Sequence, residues 1–466
     1  MHDTLVPAID HPVPPRPRHT PTPVRLRRLT TLAAVLTVAL SALLTVQLVR
    51  AHRATARLAA GEVPVVEAAS DLYFALNDMD AQLANILLVG DATDLGITRA
   101  QSQAIYDRRR QQAYADLERL AASGVRVRDL LDGLGRYEAL AADAQLLGQR
   151  DGPDAALGAY RSATALLRQT LLTQAQTMVD AQAGHLTDGY RAETRSTTIT
   201  RLAVLFVALL LVAVLVVLQV FLARRFRRTV NPGIAAATAV LVGLVAGSLV
   251  LLGLHSDRLH TQKQDAFDSI VALTRARAVS YDANADESRY LLDPAHAAEY
   301  ERGFLDKTQE ILSLPGATLS TYDQQLDSAW NGYLRDHGRI GWGGALGAEF
   351  GNITFAGERA AAESTVGLFQ AYQKDDRQIR ALVSAGRRDA AIRLCTSYAP
   401  GGSNYAFDRY DTALAGLIAI NTRAFGAAED ADRRDLGRSV WLPGVAAIAA
   451  LALLVAGVRP RLAEYR

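Results

Sequence analysis

The chain has 466 residues, half of them hydrophobic, and a formal net charge of +2, which says little about partners. Its mean hydropathy stays near zero because two long polar segments, rich in Ala, Arg, Asp, Glu and Gln, offset several apolar stretches. The single cysteine, Cys395, excludes an intramolecular disulfide, and we interpret it as a small core residue of a helix.

Four stretches of 19 to 22 residues carry no charged side chain. Each is long enough to cross the hydrocarbon core of a bilayer as a helix. The predicted transmembrane helices are residues 29–49, 202–223, 233–254 and 440–458. The chain is therefore predicted to be a multi-pass protein of the plasma membrane, and the parts outside the membrane are residues 1–28, 50–201, 224–232, 255–439 and 459–466.

The three short segments outside the membrane are rich in arginine, which predicts the orientation of the chain. Lys and Arg next to a span resist translocation, so short loops of this kind stay cytoplasmic. Both termini are therefore predicted to be cytoplasmic and the two long segments extracytoplasmic. Three arginines just outside the first span weaken the bias there, and a cleaved signal ending at Ala54-Thr55-Ala56 is the alternative for that span. The arginines of the short segments are Arg16, Arg18, Arg25, Arg27, Arg28, Arg224, Arg225, Arg227, Arg228, Arg459, Arg461 and Arg466.

The N-terminal cytoplasmic tail is rich in proline and arginine. Such a composition favours an extended conformer that suits docking to a partner. The alternative is a disordered basic tail that lies on anionic lipid. The predicted cytoplasmic segments are too short for a kinase, methyl-accepting or cyclase module, so a signal is expected to pass to another protein. The prolines of the tail are Pro12, Pro14, Pro15, Pro17, Pro21 and Pro23.

The first long segment is predicted to be helical. Breakers separate helices around Glu67–Val89, Thr98–Ala122 and Arg128–Gln149. Within Asp151–Ser196, small or apolar residues recur at spacings of four and three, and this helix runs without a breaker into the second span. Four helices of this length most simply form an antiparallel bundle.

The second long segment is predicted to repeat the first. Asp80-Ala81 resembles Asp282-Ala283, and the spans before them begin at a similar offset. Arg150 to Ala156 likewise resembles Gly386 to Ala391. The predicted fold is an all-α membrane protein with four transmembrane helices and two extracytoplasmic antiparallel helical bundles, which arose by duplication of one unit.

A polar stripe marks the first helix of each predicted bundle. Asp282, Asp286 and Arg289 lie on one helical face at i, i+4 and i+7. A stripe of this kind inside a bundle could hold a ligand or pass strain, but a solvated or ion-paired face is the interpretation that we favour. The comparable row in the first segment is Asn77, Asp80 and Ala84.

An inserted loop at about residues 339–360 distinguishes the second segment. The glycines between Gly341 and Gly347 predict that no stable helix forms there, because glycine loses much backbone entropy in a helix. Aromatic, amide, hydroxyl and charged groups follow, which is typical of a recognition loop on a rigid scaffold. The alternative is a loop whose aromatic side chains close the top of the bundle. The candidate binding residues are Trp342, Glu349, Asn352, Thr354 and Glu358.

Residues from Gly343 to Gly347 and from Asn352 to Ala361 resemble the GlnX-type four-span membrane proteins of actinobacteria, as does Asp282 to Ser288 in a long first helix. The four-span layout of the whole chain is similar too. The resemblance implies a relay between an extracytoplasmic solute-binding lipoprotein for acidic amino acids or glutamine and a cytoplasmic Ser/Thr kinase. It identifies no ligand-binding residue. Two helical sensory bundles also resemble chemoreceptor input domains, which lack the duplication.

In the third span, Ala239, Gly243 and Gly247 recur every four residues. Small residues at this spacing form a groove in which a second helix packs closely. We interpret the groove as a packing site within the monomer, and a homodimer through it is the alternative.

The sequence contains none of the common catalytic or metal-binding motifs. No zinc-protease, paired-cysteine, phosphate-loop or serine-nucleophile motif occurs, and the nine histidines have no metal spacing. We therefore predict that the protein is not an enzyme, with no cofactor, metal or nucleic-acid partner. No ionisable residue lies inside a span, whereas ion-coupled transporters usually need one.

The predicted function is a membrane signalling adaptor or sensor, which passes an extracytoplasmic amino-acid or binding-protein signal to a cytoplasmic partner such as a Ser/Thr kinase. The alternative is a non-signalling accessory subunit of a transport or envelope complex.

The arginine asymmetry predicts the outcome of reporter fusions. Fusions at Gly124 and Gly344 should be active only outside the cytoplasm, and a fusion after Arg228 only inside, because the uncharged spans carry the long segments across. Paired enzyme reporters, each active on one side of the membrane, provide the measurement. A cytoplasmic signal from Gly124 or Gly344 would contradict the predicted orientation.

Overall fold

The computed structural model describes residues 22–57, 63–92, 94–226 and 230–463. These residues contain helices and no strand, so the predicted all-α fold class is confirmed. One isolated antiparallel bridge joins Ser313 to Gly343. Part of the predicted cytoplasmic segments, namely residues 1–21, 227–229 and 464–466, lies outside the described residues. The interpretation of the proline-rich tail therefore remains a prediction.

Fifteen α-helices occur among the described residues, together with two π-helical turns at Leu167–Leu171 and Thr261–Phe267 and a 3₁₀ turn at Pro294–His296. The helices are α1 (Thr22–Arg57), α2 (Val63–Val89), α3 (Arg99–Ala122), α4 (Arg128–Asp151), α5 (Pro153–Leu166), α6 (Leu172–Phe226), α7 (Pro232–His260), α8 (Asp268–Leu292), α9 (Ala297–Ile311), α10 (Tyr322–Arg335), α11 (Gly344–Asn352), α12 (Glu358–Ser384), α13 (Arg388–Thr396), α14 (Ser403–Ser439) and α15 (Leu442–Ala463).

Local chemistry explains several of the helix boundaries that were predicted. Thr98 caps α3 in a reciprocal capping box with Gln101, in which each side chain binds the other residue's backbone N–H. Pro153 occupies the first turn of α5, where its missing N–H leaves no bond unmade. The preceding Gly152 has a φ of +90°, a conformation that favours glycine. The predicted ends at Val89 and Ala122 are confirmed.

The described residues divide into two compact units. One of them, here called the span unit, consists of the described residues within Met1–Arg50, Ser196–Leu252 and Leu436–Arg466. Four helices in the described chain are long and apolar enough to cross a membrane, as predicted. Large apolar side chains on them, including Phe206 and Ile448, are about 70% exposed. Such exposure suits contact with lipid.

Close helix packing in the span unit occurs at a different place from the predicted groove. Ala239, Gly243 and Gly247 lie on an exposed face of α7, and a Cβ added at either glycine would meet no atom within 4 Å. The packing of this groove within the monomer is therefore not seen among the described residues, and association with a second copy stays a prediction. At Gly233, by contrast, an added Cβ would lie 2.8 Å from the Cα of Gly457. Backbones approach there because neither residue has a side chain.

The second compact unit, here called the polar unit, consists of Ala51–Arg195 and Gly253–Asp435, the first and second segments below. Both segments contribute to one hydrophobic core, so the two predicted bundles pack together. Helices α2 and α8 pack against each other and are buried on nearly all sides. A helix buried all round lies at the centre of its unit.

The inserted loop departs from the prediction in one respect. Gly344–Asn352 forms helix α11, so the prediction that no stable helix forms there is wrong. The reason is that Gly341 and Gly343 precede the helix and Gly344 is its first residue, so only Gly347 of this group lies in its interior. Gly344 itself has a φ of +73°, and a Cβ there would lie 2.9 Å from the carbonyl oxygen of Glu310. Burial of Leu346 and Phe350 then stabilises the short helix.

Candidate functional site

The centre of the polar unit holds a buried ion network around Arg289. The side chain is fully buried in α8. Its guanidinium donates to Asp80 of the first segment at 2.7 and 3.1 Å. It also donates to Asp282 at 2.8 Å and to Asp286 at 2.6 Å. Lys307 of α9 lies 2.7 Å from Asp282 and also pairs with Asp286, so two cations serve three carboxylates.

Asp80 is the one carboxylate of this network that the first segment supplies, and neutral hydroxyls surround it. Thr164 donates to it at 2.9 Å, and the hydroxyls of Tyr137 and Tyr160 lie at 3.4 and 3.5 Å. These donors come from α4 and α5, while Arg289 approaches from α8. A buried carboxylate needs such donors because burial removes its water. Asp80 therefore joins three helices of the first segment to the second segment.

On the α8 side, the network depends on the helical spacing of its residues and on a glycine in α9 that leaves room for a carboxylate. Asp282, Asp286 and Arg289 share a face of α8, as the sequence predicts, and the structure shows that this face is ion-paired and buried. Helix α9 passes close to Asp286 at Gly303. A Cβ at Gly303 would lie 2.9 Å from the Asp286 carboxylate oxygen, so the missing side chain leaves room for the carboxylate.

A second ion pair also joins the two segments. Arg161 of α5 donates two hydrogen bonds of 2.7 Å to Asp293, in the bidentate geometry that makes guanidinium–carboxylate pairs strong. Asp293 has a fully buried side chain. His296 lies 3.0 Å from the same carboxylate, and the Tyr300 hydroxyl donates to it at 3.4 Å. The polar contacts between the segments thus lie along α5 as well as along α2.

The aromatic part of the inserted loop lies inside the polar unit. Trp342 is 6% exposed and packs against the rings of Tyr333 and Phe350, with centroids 5.4 and 5.2 Å away. Trp330 completes this cluster at 6.0 Å. The arrangement matches the alternative interpretation of the loop, in which its aromatic side chains close the bundle.

The polar candidate residues of the loop also have internal partners. Asn352 donates to the backbone oxygens of Gln264 and Asp265 at 3.0 and 3.1 Å. The Glu358 carboxylate accepts from the backbone N–H groups of Thr354 and Phe355 at 2.7 and 2.8 Å. The five candidate residues thus fix the loop to its own unit, and binding of a partner through them stays a prediction.

Glu349 is the most unusual titratable group of the loop. It is 2% exposed, and the Asn421 amide donates to it at 3.4 Å. Burial raises the pKa of Glu349 to about 7, and the nearby Glu358 carboxylate adds to the rise. Hydrogen bonds from Ser269 and Asn421 act in the opposite direction. The side chain therefore changes its charge near neutral pH.

The sequence indicates the polar stripe of Asp282, Asp286 and Arg289 in α8, but it does not indicate that Asp80 and Lys307 pair with it. Asp80 and Asp282 were matched as corresponding residues of a duplication, and both bind the same Arg289. That correspondence was the one signal that could have suggested a shared partner. Nothing in the local sequence around Arg161 or Asp293 indicates their contact, which spans 132 residues of the chain. The duplication itself stays a prediction.

A comparison with known families finds a match in the first segment. Residues 54–191 match the family described as an actinobacterial sensor domain. No curated protein and no solved structure gives a significant match. The match indicates a sensing or signalling role, and it fits a sensor-type protein of actinobacteria. The matched residues include Asp80 and Arg161, so they contain the first segment's share of the polar contacts described above.

Removal of Arg289 is predicted to destabilise the polar unit far more than removal of a surface arginine. Arg289→Met leaves three buried carboxylates with Lys307 alone, and breaking a buried pair in this way costs about 3 to 5 kcal/mol. The matched control is Arg275→Met in the same helix, because the Arg275–Glu310 pair is about half exposed and such pairs contribute about 1 kcal/mol or less. Thermal unfolding of the purified protein, followed by circular dichroism, measures both. Equal melting temperatures for the two variants would contradict a structural role for the network.

Glu349→Gln is predicted to change how stability depends on pH. The folded protein holds the Glu349 proton more tightly than the unfolded chain, whose ordinary pKa is 4.5. The wild type should therefore lose stability as the pH rises from about 4.5 to about 7, by roughly 3 kcal/mol at most. Glutamine does not titrate, so the advantage of the variant over the wild type should grow over that range. Melting temperatures at a series of pH values test this.

The control for the pH series is Glu118→Gln on the exposed face of α3, which should leave the profile of the wild type unchanged. Parallel profiles for the wild type and Glu349→Gln would show that Glu349 does not titrate in this range.

Proposed function

We propose that this chain is a membrane signalling adaptor. In this proposal, the polar unit lies outside the cytoplasm and receives a solute or a solute-loaded binding protein. The signal then passes along the membrane-spanning helices to a cytoplasmic partner such as a Ser/Thr kinase, as the resemblance to GlnX-type proteins implies. The observation that carries the proposal is that a segment matching a sensor domain is joined to the second segment by the buried Arg289 network.

Helix continuity supports transmission of a signal. The chain is helical from Pro232 to Leu292, through α7, a π turn and α8. Three network residues, Asp282, Asp286 and Arg289, therefore lie on the same helical stretch as the predicted third span. Helix α6 likewise begins at Leu172, within the sensor-domain match, and ends at Phe226, beyond the predicted second span. A helix transmits a shift or rotation along its axis because its backbone hydrogen bonds make it stiff.

The chemistry of the network supports a switch with discrete arrangements. Asp80 contacts Arg289 through short directional hydrogen bonds, whereas an apolar seam would allow gradual sliding. A shift of α8 relative to α2 must break these bonds or exchange them for others, because buried charges cannot be left unpaired at small cost. The proposed signal is therefore a change between two pairings of these helices, biased by what binds to the polar unit.

Capture of partners from membranes tests the proposal. The tagged full-length protein is cross-linked in its host, extracted in detergent, and its partners are identified by mass spectrometry. We expect a cytoplasmic signalling protein together with an extracytoplasmic partner. Deletion of residues 2–20 should remove the cytoplasmic partner and retain the other, because it removes the proline-rich stretch and leaves Arg25, Arg27 and Arg28 to hold the orientation.

The matched control replaces residues 2–20 with a Gly/Ser segment of equal length, which separates the effect of the sequence from that of tail length. It should behave as the deletion does. Capture of the same cytoplasmic protein by all three forms would exclude the tail as the docking segment. The absence of any cytoplasmic partner from the wild type would overturn the proposed function.

A further inference from the structure

A pocket of about 500 Å³ lies in the polar unit beside the Arg289 network. Its walls come from α5, the π turn that follows it, and the region around the start of α9. The pocket is open to solvent on one side, so a small solute can enter. Its polar walls include Arg161, Thr164, Arg168, His296, Glu299 and Tyr300.

Arg168 is the pocket cation whose side chain forms no hydrogen bond or ion pair with the described residues. Arg161 is held by Asp293 in a bidentate pair, and His296 contacts the same carboxylate. Among the described residues, no hydrogen-bond or ion-pair partner occurs for the guanidinium of Arg168, although the side chain is half-buried. A partly desolvated guanidinium has five donors in a rigid fork that matches a carboxylate or a phosphate.

The backbone at Arg168 is irregular. Leu167–Leu171 forms a π turn between α5 and α6, in which the Leu172 N–H donates to the Leu167 carbonyl. The Thr173 hydroxyl donates to the Arg168 carbonyl at 3.2 Å, five residues back. A π turn costs stability relative to a regular α-helix, and such turns are frequent at functional sites. This turn lies within the residues that match the sensor domain.

We propose that this pocket binds a small solute through an oxyanion group, a carboxylate or a phosphate, which pairs with the Arg168 guanidinium. The inference rests on the proposed function and deepens it, since it places the site of a sensed solute in the polar unit. Glu299 is exposed on the pocket wall and repels an anion, so it limits the affinity.

The pocket is in direct contact with the ion network. Thr164 lines the pocket, and its hydroxyl donates to Asp80 at 2.9 Å. Burial opposes ionisation of Asp282, but the charges of Lys307, Arg289 and Arg168 together hold its pKa below the usual range. An anion bound at Arg168 competes for the attraction between Arg168 and Asp282, and Asp282 then depends more on Arg289 and Lys307. Binding in the pocket thereby changes how Arg289 is shared between Asp282 of α8 and Asp80 of α2, and so changes the contact between these two helices.

A second pocket of similar size serves as the comparison. It has a volume of about 550 Å³ and also contains two arginines, Arg377 and Arg380. Both are engaged: Arg377 donates to the backbone oxygen of Ser320 at 2.7 Å, and Arg380 forms a bidentate pair with Asp376. A cation that is already paired offers less to a new anion, so this pocket is the control for nonspecific binding to arginine.

The test measures binding of inorganic phosphate and of succinate to the purified full-length protein in detergent, by calorimetry and by the shift in melting temperature. At least one probe should bind, and the probe that binds distinguishes phosphate from carboxylate recognition. Arg168→Gln should weaken binding about tenfold or more, the loss expected for a charge-assisted hydrogen bond. Its melting temperature without probe should lie close to that of the wild type, because no hydrogen bond or ion pair of the Arg168 guanidinium occurs among the described residues.

Two further variants test whether the probe binds in this pocket and not at other arginines. Glu299→Gln removes the repelling carboxylate and should strengthen binding several-fold, whereas Arg377→Gln in the second pocket should leave it unchanged. Failure of both probes to bind the wild type, or equal binding by Arg168→Gln, would overturn the inference. Binding by the purified protein needs no cytoplasmic partner, so this outcome is independent of partner capture. If a probe binds but no cytoplasmic partner is captured, the inferred binding site is retained and the proposed signalling function is rejected.

Discussion

A charged guanidinium inside a protein is stable only where carboxylates and other acceptors replace the water that it has lost. The polar unit meets this requirement for Arg289 with acids from both of its segments. Asp80 comes from α2, and Asp282 and Asp286 come from α8 itself. The arrangement of the unit follows from this constraint. The hydroxyls of α4 and α5 point at Asp80, and a glycine in α9 leaves room for Asp286.

The same constraint fixes the register of the two central helices. Apolar side chains of α2 and α8 share one hydrophobic core, in which the rings of Phe74 and Tyr281 pack in a T shape with centroids 4.2 Å apart. Such contacts lose little when helices slide by a fraction of a turn. The hydrogen bonds between Asp80 and Arg289 lose much more, since they depend on both distance and direction. Hydrophobic burial thus holds the segments together, while the ion network decides which residues face each other.

The sequence predicted those parts of the structure that depend on local signals. The four spans follow from uncharged stretches, and the boundaries of α3 and α5 follow from Thr98 and Pro153. It did not predict which segments meet, because Asp80 and Arg289 are 209 residues apart and no local pattern encodes such a contact. Composition also misled at α11, since glycines before a helix and glycines inside it look alike in a sequence.

Candidate site residues illustrate the same limit. Trp342 and Glu349 resembled exposed recognition residues because they stand among glycines and polar side chains, yet they are 6% and 2% exposed. Arg168 carried no distinguishing pattern, because an arginine in a helical segment usually lies on a solvated surface. Its importance depends on the π turn and on the absence of an acceptor among the described residues around it, and both are properties of the folded chain.

Arg289 lies outside the residues that match the sensor-domain family. The family match ends at residue 191, but the cation that neutralises Asp80 comes from a residue almost 100 positions later in the chain. A fragment cut at the family boundaries would keep Asp80, with the hydroxyls around it, and lose its counter-ion. Such a fragment would leave the Asp80 carboxylate without its cation, at a cost in stability, or admit water to its interior. The contacts that stabilise Asp80 therefore extend beyond the family match, and the second segment supplies the cation that the matched residues lack.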